Sequence, residues 1–371
     1  MLQFSCEKSL LSQAINTASR CAAAKSPIPA LEGLLIEAGH DVRITGYDLK
    51  KGIYTSFEAD VAKPGTIVLS ARLFGDIVRS LPDGVVTVSS DGSNLTRITC
   101  GDADFSIMGS DADDYPELPE VDSQNSISVE QGKLREMISQ TIFAVSDNET
   151  RIVYTGSLFE VENGELTIVS VDGYRLALRR EKLENPGVDF CSFIVPGASL
   201  SDLEKICQDS DEPVRITLGS KHISFALGKT VLVSRRLDGE FLNYKKSIPT
   251  EFSVKVAVER SAIVRAVERV SLIIDDKIKN PLRCTFGEDR INLLCVTSRG
   301  KAEDVCRVNG NGNGLEIGFN NRYLLDSLKS APADKLLMCL NSGSSPCVIV
   351  PESGKDNFIY MILPVRLRAG E

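Results

Sequence analysis

The 371-residue chain has no tryptophan, only two histidines (His40 and His222), and no CxxC pair among its ten cysteines. Histidine is the commonest general acid–base residue, so its scarcity weakens any catalytic reading. Cysteines scattered singly are expected to form neither a zinc site nor a disulfide framework, and reduced thiols in a cytosolic protein are expected instead. No apolar run approaches the ~20 residues that span a bilayer. The opening MLQFSCEKSLL lacks a basic stretch followed by an apolar core, so it does not read as a secretory signal. There is no GxxxxGK[ST] motif; the run Asn309 to Gly314 reads as a hairpin tip, not a phosphate loop. No metal or cofactor is expected.

What the chain does contain is a pattern written three times. Phe74, Asp76 and Arg79 sit in RLFGDIVRSLP. Leu200, Asp202 and Lys205 sit in ASLSDLEKICQ. Leu324, Asp326 and Lys329 sit in RYLLDSLKSAP. The copies lie 126 and then 124 residues apart, a period that means three whole domains rather than small stacked units. Triplication favours a quasi-symmetric scaffold over an enzyme with one unique site.

Each copy opens with a strand and a helix. Leu11, Ile15 and Ala18 recur at helical spacing, as do Leu134, Ile138 and Ile142, and then Ile263, Val267, Val270 and Ile274. Short strands follow. LEGLLIEAG–VRITGYD, SLFEVENGELTIVSVDG and RCTFGEDRINLLCVTS read as hairpins. A second helix and further strands complete each copy. The expected fold is α+β, with two helices per domain packed on antiparallel sheets. Proline-bearing loops around 111–123 and 238–252 place domains at 1–122, 123–249 and 250–371.

Net charge is −9, which by itself speaks against a nucleic-acid binder. Its distribution changes that. Helices are expected over 8–24, 72–80, 131–146, 198–208, 259–274 and 321–330. These segments hold twelve basic and seven acidic residues, a net of +5, so the rest of the chain carries −14. Arg72 and Arg79 are seven apart and share a face, Arg322 and Lys329 repeat that spacing, and Arg265 and Arg269 form another such pair. A surface lined by these helices would attract phosphates without reading bases. Few aromatics interleave with the bases, so no single-strand stacking platform is expected.

Four motifs, VDGYRLAL at 171–178, FLNYKKSIP at 241–249, EIGFNNRYLLDSLKS at 316–330 and NFIYMILPVRL at 357–367, give the chain its resemblance. With them it resembles the bacterial sliding clamp family, the β subunit of DNA polymerase III, over its whole length. The resemblance implies a head-to-tail homodimer ring of six pseudo-equivalent domains, with twelve helices facing the hole. It implies a non-catalytic processivity factor that encircles duplex DNA non-specifically. Through short peptides it would tether the replicative polymerase, the clamp loader and repair enzymes.

The same resemblance assigns residues. Lys25 and Asn148 occupy loops that contact DNA in the family. Arg72, Arg79, Lys205, Arg265, Arg269, Arg322 and Lys329 are added from helix position. The partner-peptide pocket maps to Tyr154, Val171, Gly173, Tyr174, Arg175, Leu176, Leu242, Met361, Ile362, Leu363, Pro364, Val365 and Arg366, with Tyr323 at its edge. Such an apolar patch with a basic rim suits peptides carrying Leu and Phe anchors. Phe105 and Ile107 on one side, and Leu272, Ile273 and Ile278 on the other, are dimer-seam candidates.

Two other readings compete. Asp102, Asp104, Asp111, Asp113 and Asp114 would serve an enzyme as a metal site, but they lack the DxDxDG spacing with a distal Glu, and a solvated loop is expected. A protein-interaction scaffold without a DNA role would form no closed ring.

Overall fold

The computed structural model describes residues 1–121, 126–184, 187–275, 280–353 and 357–367. It divides into two compact units, Met1–Leu134 with Asp202–Arg236, and Arg135–Ser201 with Leu237–Glu371. All strand pairings are antiparallel among the described residues.

In the first unit a five-stranded sheet runs in the order Asp60–Lys63, Leu2–Glu7, Val85–Ser90, Leu95–Cys100, Ala103–Met108. An eight-stranded sheet lies across the core from it. Its order is Ser126–Glu130, Pro213–Leu218, His222–Leu227, Thr230–Arg235, Lys51–Phe57, Val42–Tyr47, Gly33–Ala38, Gly65–Ser70. Helices Lys8–Ala18 and Ala71–Ser80 fill the space between the sheets. Leu11, Ile15, Phe74 and Val78 from the helices join Phe4, Val88, Ile36 and Ile44 from the strands in one buried cluster. Leu11 and Ile15, like Phe74 and Val78, are four apart, so each pair lies on one face of its helix, and burying each side chain stabilises by roughly 1.5–3 kcal/mol.

The second unit repeats the plan. Its eight-stranded sheet runs Phe190–Pro196, Gly156–Glu162, Glu165–Val171, Arg175–Lys182, Phe358–Ile362, Cys347–Pro351, Lys335–Leu340, Val254–Glu259. A four-stranded sheet runs Gly300–Arg307, Arg290–Thr297, Leu282–Phe286, Leu315–Phe319. Helices Arg260–Ser271 and Asn321–Ser330 pack between them, with Ile263, Val267, Val270, Leu324 and Leu328 buried. Each eight-stranded sheet joins strands from two successive copies of the sequence repeat. That sharing is why the compact units cut the middle copy instead of respecting it.

The expected hairpins form. Asn163 and Gly164 both take positive φ, 53° and 74°, the two left-handed positions that a type I′ turn requires. Helices are shorter than the sequence pattern suggests. The first ends at Ala18, with a 3-10 turn over Ser19–Cys21. Gly46 comes so close that a Cβ there would lie 2.1 Å from the Ala18 carbonyl oxygen. The helix at 131–146 stops at Ser139, where the Thr141 hydroxyl donates back to the Met137 carbonyl at 2.8 Å. The third opening helix covers Arg260–Ser271. A short helix, Tyr244–Ser247, was not expected; Asn243 caps it.

The Asn309–Gly314 run is not a hairpin tip. The strands on either side of it are not neighbours, so the run crosses the sheet. Asn309 bridges to Ala257, and the Gly312 amide donates to the Gly287 carbonyl. A Cβ at Gly312 would lie 2.2 Å from the Phe286 Cβ, so glycine here serves close packing.

Candidate functional site

The pocket residues converge on one corner of the second unit. Strand Arg175–Lys182 pairs with strand Phe358–Ile362, setting Leu176 against Met361. Beyond that pair, the Leu363 amide donates to the Tyr174 carbonyl at 2.8 Å, and the Val365 amide donates to the Gly318 carbonyl at 2.8 Å. The segment after the last strand is therefore held on both sides. Val171, Leu176 and Met361 are buried in an apolar cluster with Leu158, Val169 and Tyr244, and they form a floor. Tyr154 packs on its edge, its ring meeting Phe241 in a T-shape at 5.5 Å. Above the floor, Gly173, Leu242, Leu363 and Arg366 are exposed, and Pro364 and Val365 are half-buried.

Arg175, assigned to the pocket by resemblance, has its charge met within the chain. Its side chain is only 9% exposed. Its Nε donates to Asp172 at 2.9 Å and its Nη1 to Asp326 at 2.6 Å. The guanidinium lies 4.4 Å from the Tyr323 ring centroid and 5.4 Å from that of Phe143. Tyr323 in turn stacks on Tyr174 at 6.2 Å, and Tyr174 is 62% exposed. Burial and the nearby Asp172 raise the Tyr323 phenol above its ordinary pKa, so it stays protonated. Ile362 is fully buried on the opposite face of its strand, in the core beneath the helices, and does not line the pocket. Successive strand residues point to opposite faces, so Met361 and Ile362 cannot both face the peptide.

The helix cations are exposed but differ in company. Arg79 is ion-paired with Asp76, which also lies 3.9 Å from Arg72. Arg269 pairs with Asp304 at 2.6 Å and Lys329 with Glu268 at 2.7 Å. Pairing with Arg269 holds the Asp304 carboxyl below its usual range. Lys25, Lys205, Arg265 and Arg322 are exposed. Asn148 caps a 3-10 turn, its Oδ1 accepting from the Thr150 amide at 3.0 Å and the Thr150 hydroxyl at 2.8 Å. In the first unit Lys205 borders a groove of about 730 Å³ that also holds Lys8, Arg20 and Lys229, with Asp83 and Glu212 as its acids. Lys8 and Arg20 were counted as helix charge in the sequence without being singled out, because only the fold brings them beside Lys205.

The seam candidates lie on an edge strand and at a helix end. Phe105 is 36% exposed on Ala103–Met108, an edge strand of the five-stranded sheet, while Ile107 packs partly into the core. Leu272 is 81% exposed at a helix end, and Ile273 packs partly into its own core. Ile278 lies outside the described residues. The strand Gly300–Arg307, an edge of the four-stranded sheet, was missed because charges obscure its alternation.

Three family models cover nearly the whole chain: the N-terminal domain of the DNA polymerase III beta subunit at 2–119, its central domain at 128–243 and its C-terminal domain at 245–366. The chain belongs to the DNA polymerase III beta subunit family. It is 34% identical over 387 aligned positions to a beta sliding clamp of Synechocystis sp., covering 98% of each protein. Among solved structures, the Bacillus subtilis DNA polymerase sliding clamp matches with a TM-score of 0.93 at 29% identity, over 99% of this chain and 100% of that one. A Pseudomonas aeruginosa sliding clamp bound to griselimycin matches with a TM-score of 0.94 at 27% identity, over 99% and 100%. Beta subunits of this family are built of three clamp domains, and this chain carries all three. No helix among the described residues is long and apolar enough to cross a membrane.

Proposed function

We propose that this chain is a DNA sliding clamp: a non-catalytic processivity subunit that encircles duplex DNA and tethers the replicative polymerase and other DNA-processing enzymes to it. One observation carries the reading. In the first unit, the strand after the repeat's turn, Lys51–Phe57, pairs with the last strand of the next copy, Thr230–Arg235. In the second unit, Arg175–Lys182 pairs with Phe358–Ile362 in the same way. The third member of that series is Gly300–Arg307, and the first copy's last strand is Ala103–Met108. Both are edge strands among the described residues. A second copy of the chain supplies the missing partner at each, and two such heterologous contacts close a ring.

We place the domains at 1–122, 123–249 and 250–371. Lys25, Asn148, Lys205, Arg265 and Arg322 are assigned to weak phosphate contacts. Arg72, Arg79, Arg269 and Lys329 contribute less, since each has an acidic neighbour that offsets its charge. Weak, sequence-independent contacts let the ring slide, and topology retains it. Opening requires an ATP-dependent loader, and the working compartment is the cytoplasm. Phe105, Ile107, Leu272 and Ile273 are assigned to the seam. The corner formed by Tyr154, Val171, Tyr174, Leu176, Tyr323, Met361 and Leu363 takes partner peptides.

The test is fluorescence polarisation with a labelled Gln-Leu-x-Leu-Phe peptide. Saturable binding to the intact chain is expected. Binding that survives truncation before Leu363, or no binding to the intact chain, contradicts the pocket.

A further inference from the structure

The repeated aspartate of the second helix has a partner that the repeat itself specifies. Asp202 is ion-paired with Lys51, both largely buried, and Asp326 with Arg175. Each pair spans 151 residues. Each base is the first residue of its strand, at the end of a turn opened by an aspartate. Asp48 Oδ1 accepts from the Lys50 and Lys51 amides, and Asp172 Oδ1 from the Tyr174 and Arg175 amides. The strand register confirms the equivalence: Tyr47 faces Gly52 as Val171 faces Leu176. The same latch therefore fastens each copy to the next.

The two latches differ in what they carry. At Asp326 the base is a planar guanidinium, and Tyr323 lies against its face while stacking on Tyr174. A lysine at that place offers no flat surface. Tyr174 is also the residue whose carbonyl receives the Leu363 amide. The Asp326–Arg175 pair therefore adjoins the turn closed by Asp172, the aromatic stack and, through the Tyr174 carbonyl, the segment at Leu363.

Building on the peptide-pocket reading, we propose that Asp326 is a positioning residue for the pocket: it fixes Arg175, and through Arg175 the Tyr174–Tyr323 wall, without touching the peptide itself. Asp202 makes the same pair in the first unit, whereas the peptide corner belongs to the second, and it serves as the internal control. The assignment also removes Arg175 from the residues that offer a charge to partners, since both of its carboxylates are intramolecular.

The experiment uses the full-length chain and the labelled Gln-Leu-x-Leu-Phe peptide. Asp326→Asn and Asp202→Asn are compared by thermal midpoint and by peptide Kd. Both are expected to lower the midpoint, while only Asp326→Asn weakens binding, by about tenfold. Arg175→Lys preserves the charge and the fold but removes the flat face, and it is expected to weaken binding to the same degree. Asp326→Glu keeps the pair and is expected to restore most of the affinity. Unchanged or tighter binding in Asp326→Asn or Arg175→Lys overturns the proposal, as does an equal loss in Asp202→Asn, which would signal a general loss of stability. Failure of the wild-type chain to bind overturns the pocket reading and this inference with it. Binding by the wild type with no effect of Asp326→Asn overturns the inference alone.

Discussion

The amide of Leu363 donates to the carbonyl of Tyr174 at 2.8 Å, tying the segment after the last strand to the turn that begins strand Arg175–Lys182. That bond holds Leu363 at the pocket rim, where its side chain is exposed beside a buried apolar floor. Leu363→Ala removes only the side chain. It is expected to weaken the labelled peptide about tenfold while leaving the thermal midpoint within a few degrees of wild type. Unchanged affinity would place the peptide elsewhere.

The seam follows from the same succession of strands. At the third turn, Val296 faces Lys301, so Gly300 stands where Lys51 and Arg175 stand in the other copies. Asp76 is paired with Arg79 of its own helix. Neither half of the latch is available to a third joint, so the proposed seam would rest on edge pairing and apolar contact. Phe105→Glu and Leu272→Glu each put a charge into the proposed contact. Each is expected to raise the dimer dissociation constant by roughly thirtyfold or more in analytical ultracentrifugation, with the fold preserved. A dimer unaffected by both would move the seam away from these edges.

The thiols give a test of packing. Nine of the ten cysteines are buried and Cys191 is half-buried. Burial pushes the Cys6 and Cys21 thiols up to about 12, and raises Cys191 as well. Only thiolates attack a disulfide reagent, so at pH 8 the native chain is expected to show at most one fast-reacting thiol, and ten after denaturation. Several fast thiols in the native state would contradict the packing described.

His222 supplies a pH dependence. Burial lowers its pKa below 6.5, helped by the charges of Arg235 and Lys221. The unfolded chain then binds this proton more readily than the folded one. The stability His222 contributes is complete above about pH 6.5 and is lost as the pH falls through the folded value. By proton NMR, one imidazole is expected to titrate below 6.5 and to vanish in His222→Gln. A His222 midpoint at 6.5 would remove this dependence, and one above 6.5 would reverse its sign.

Local pattern carried much of this fold. The spacing of Leu11, Ile15 and Ala18, the Asn163–Gly164 turn and the threefold Asp76, Asp202, Asp326 signature were readable because each is set by residues close in sequence. The pairing of Lys51–Phe57 with Thr230–Arg235 was not, because alternation tells which face a strand buries and not which strand lies beside it. For the same reason the pairing of Arg175 with Asp326 was not legible, since the two lie in different copies. Ile362 was a different failure: its neighbour Met361 already claimed the pocket face, and the period of two would have sent Ile362 to the core.

The most direct measurement is retention on DNA of changed topology. The chain is loaded onto nicked circular duplex by a clamp loader with ATP, then passed through gel filtration in high salt, which suppresses phosphate contacts. The account predicts co-elution with the circle and loss after a single restriction cut. Retention on the linear product, or no retention on the circle, would contradict it.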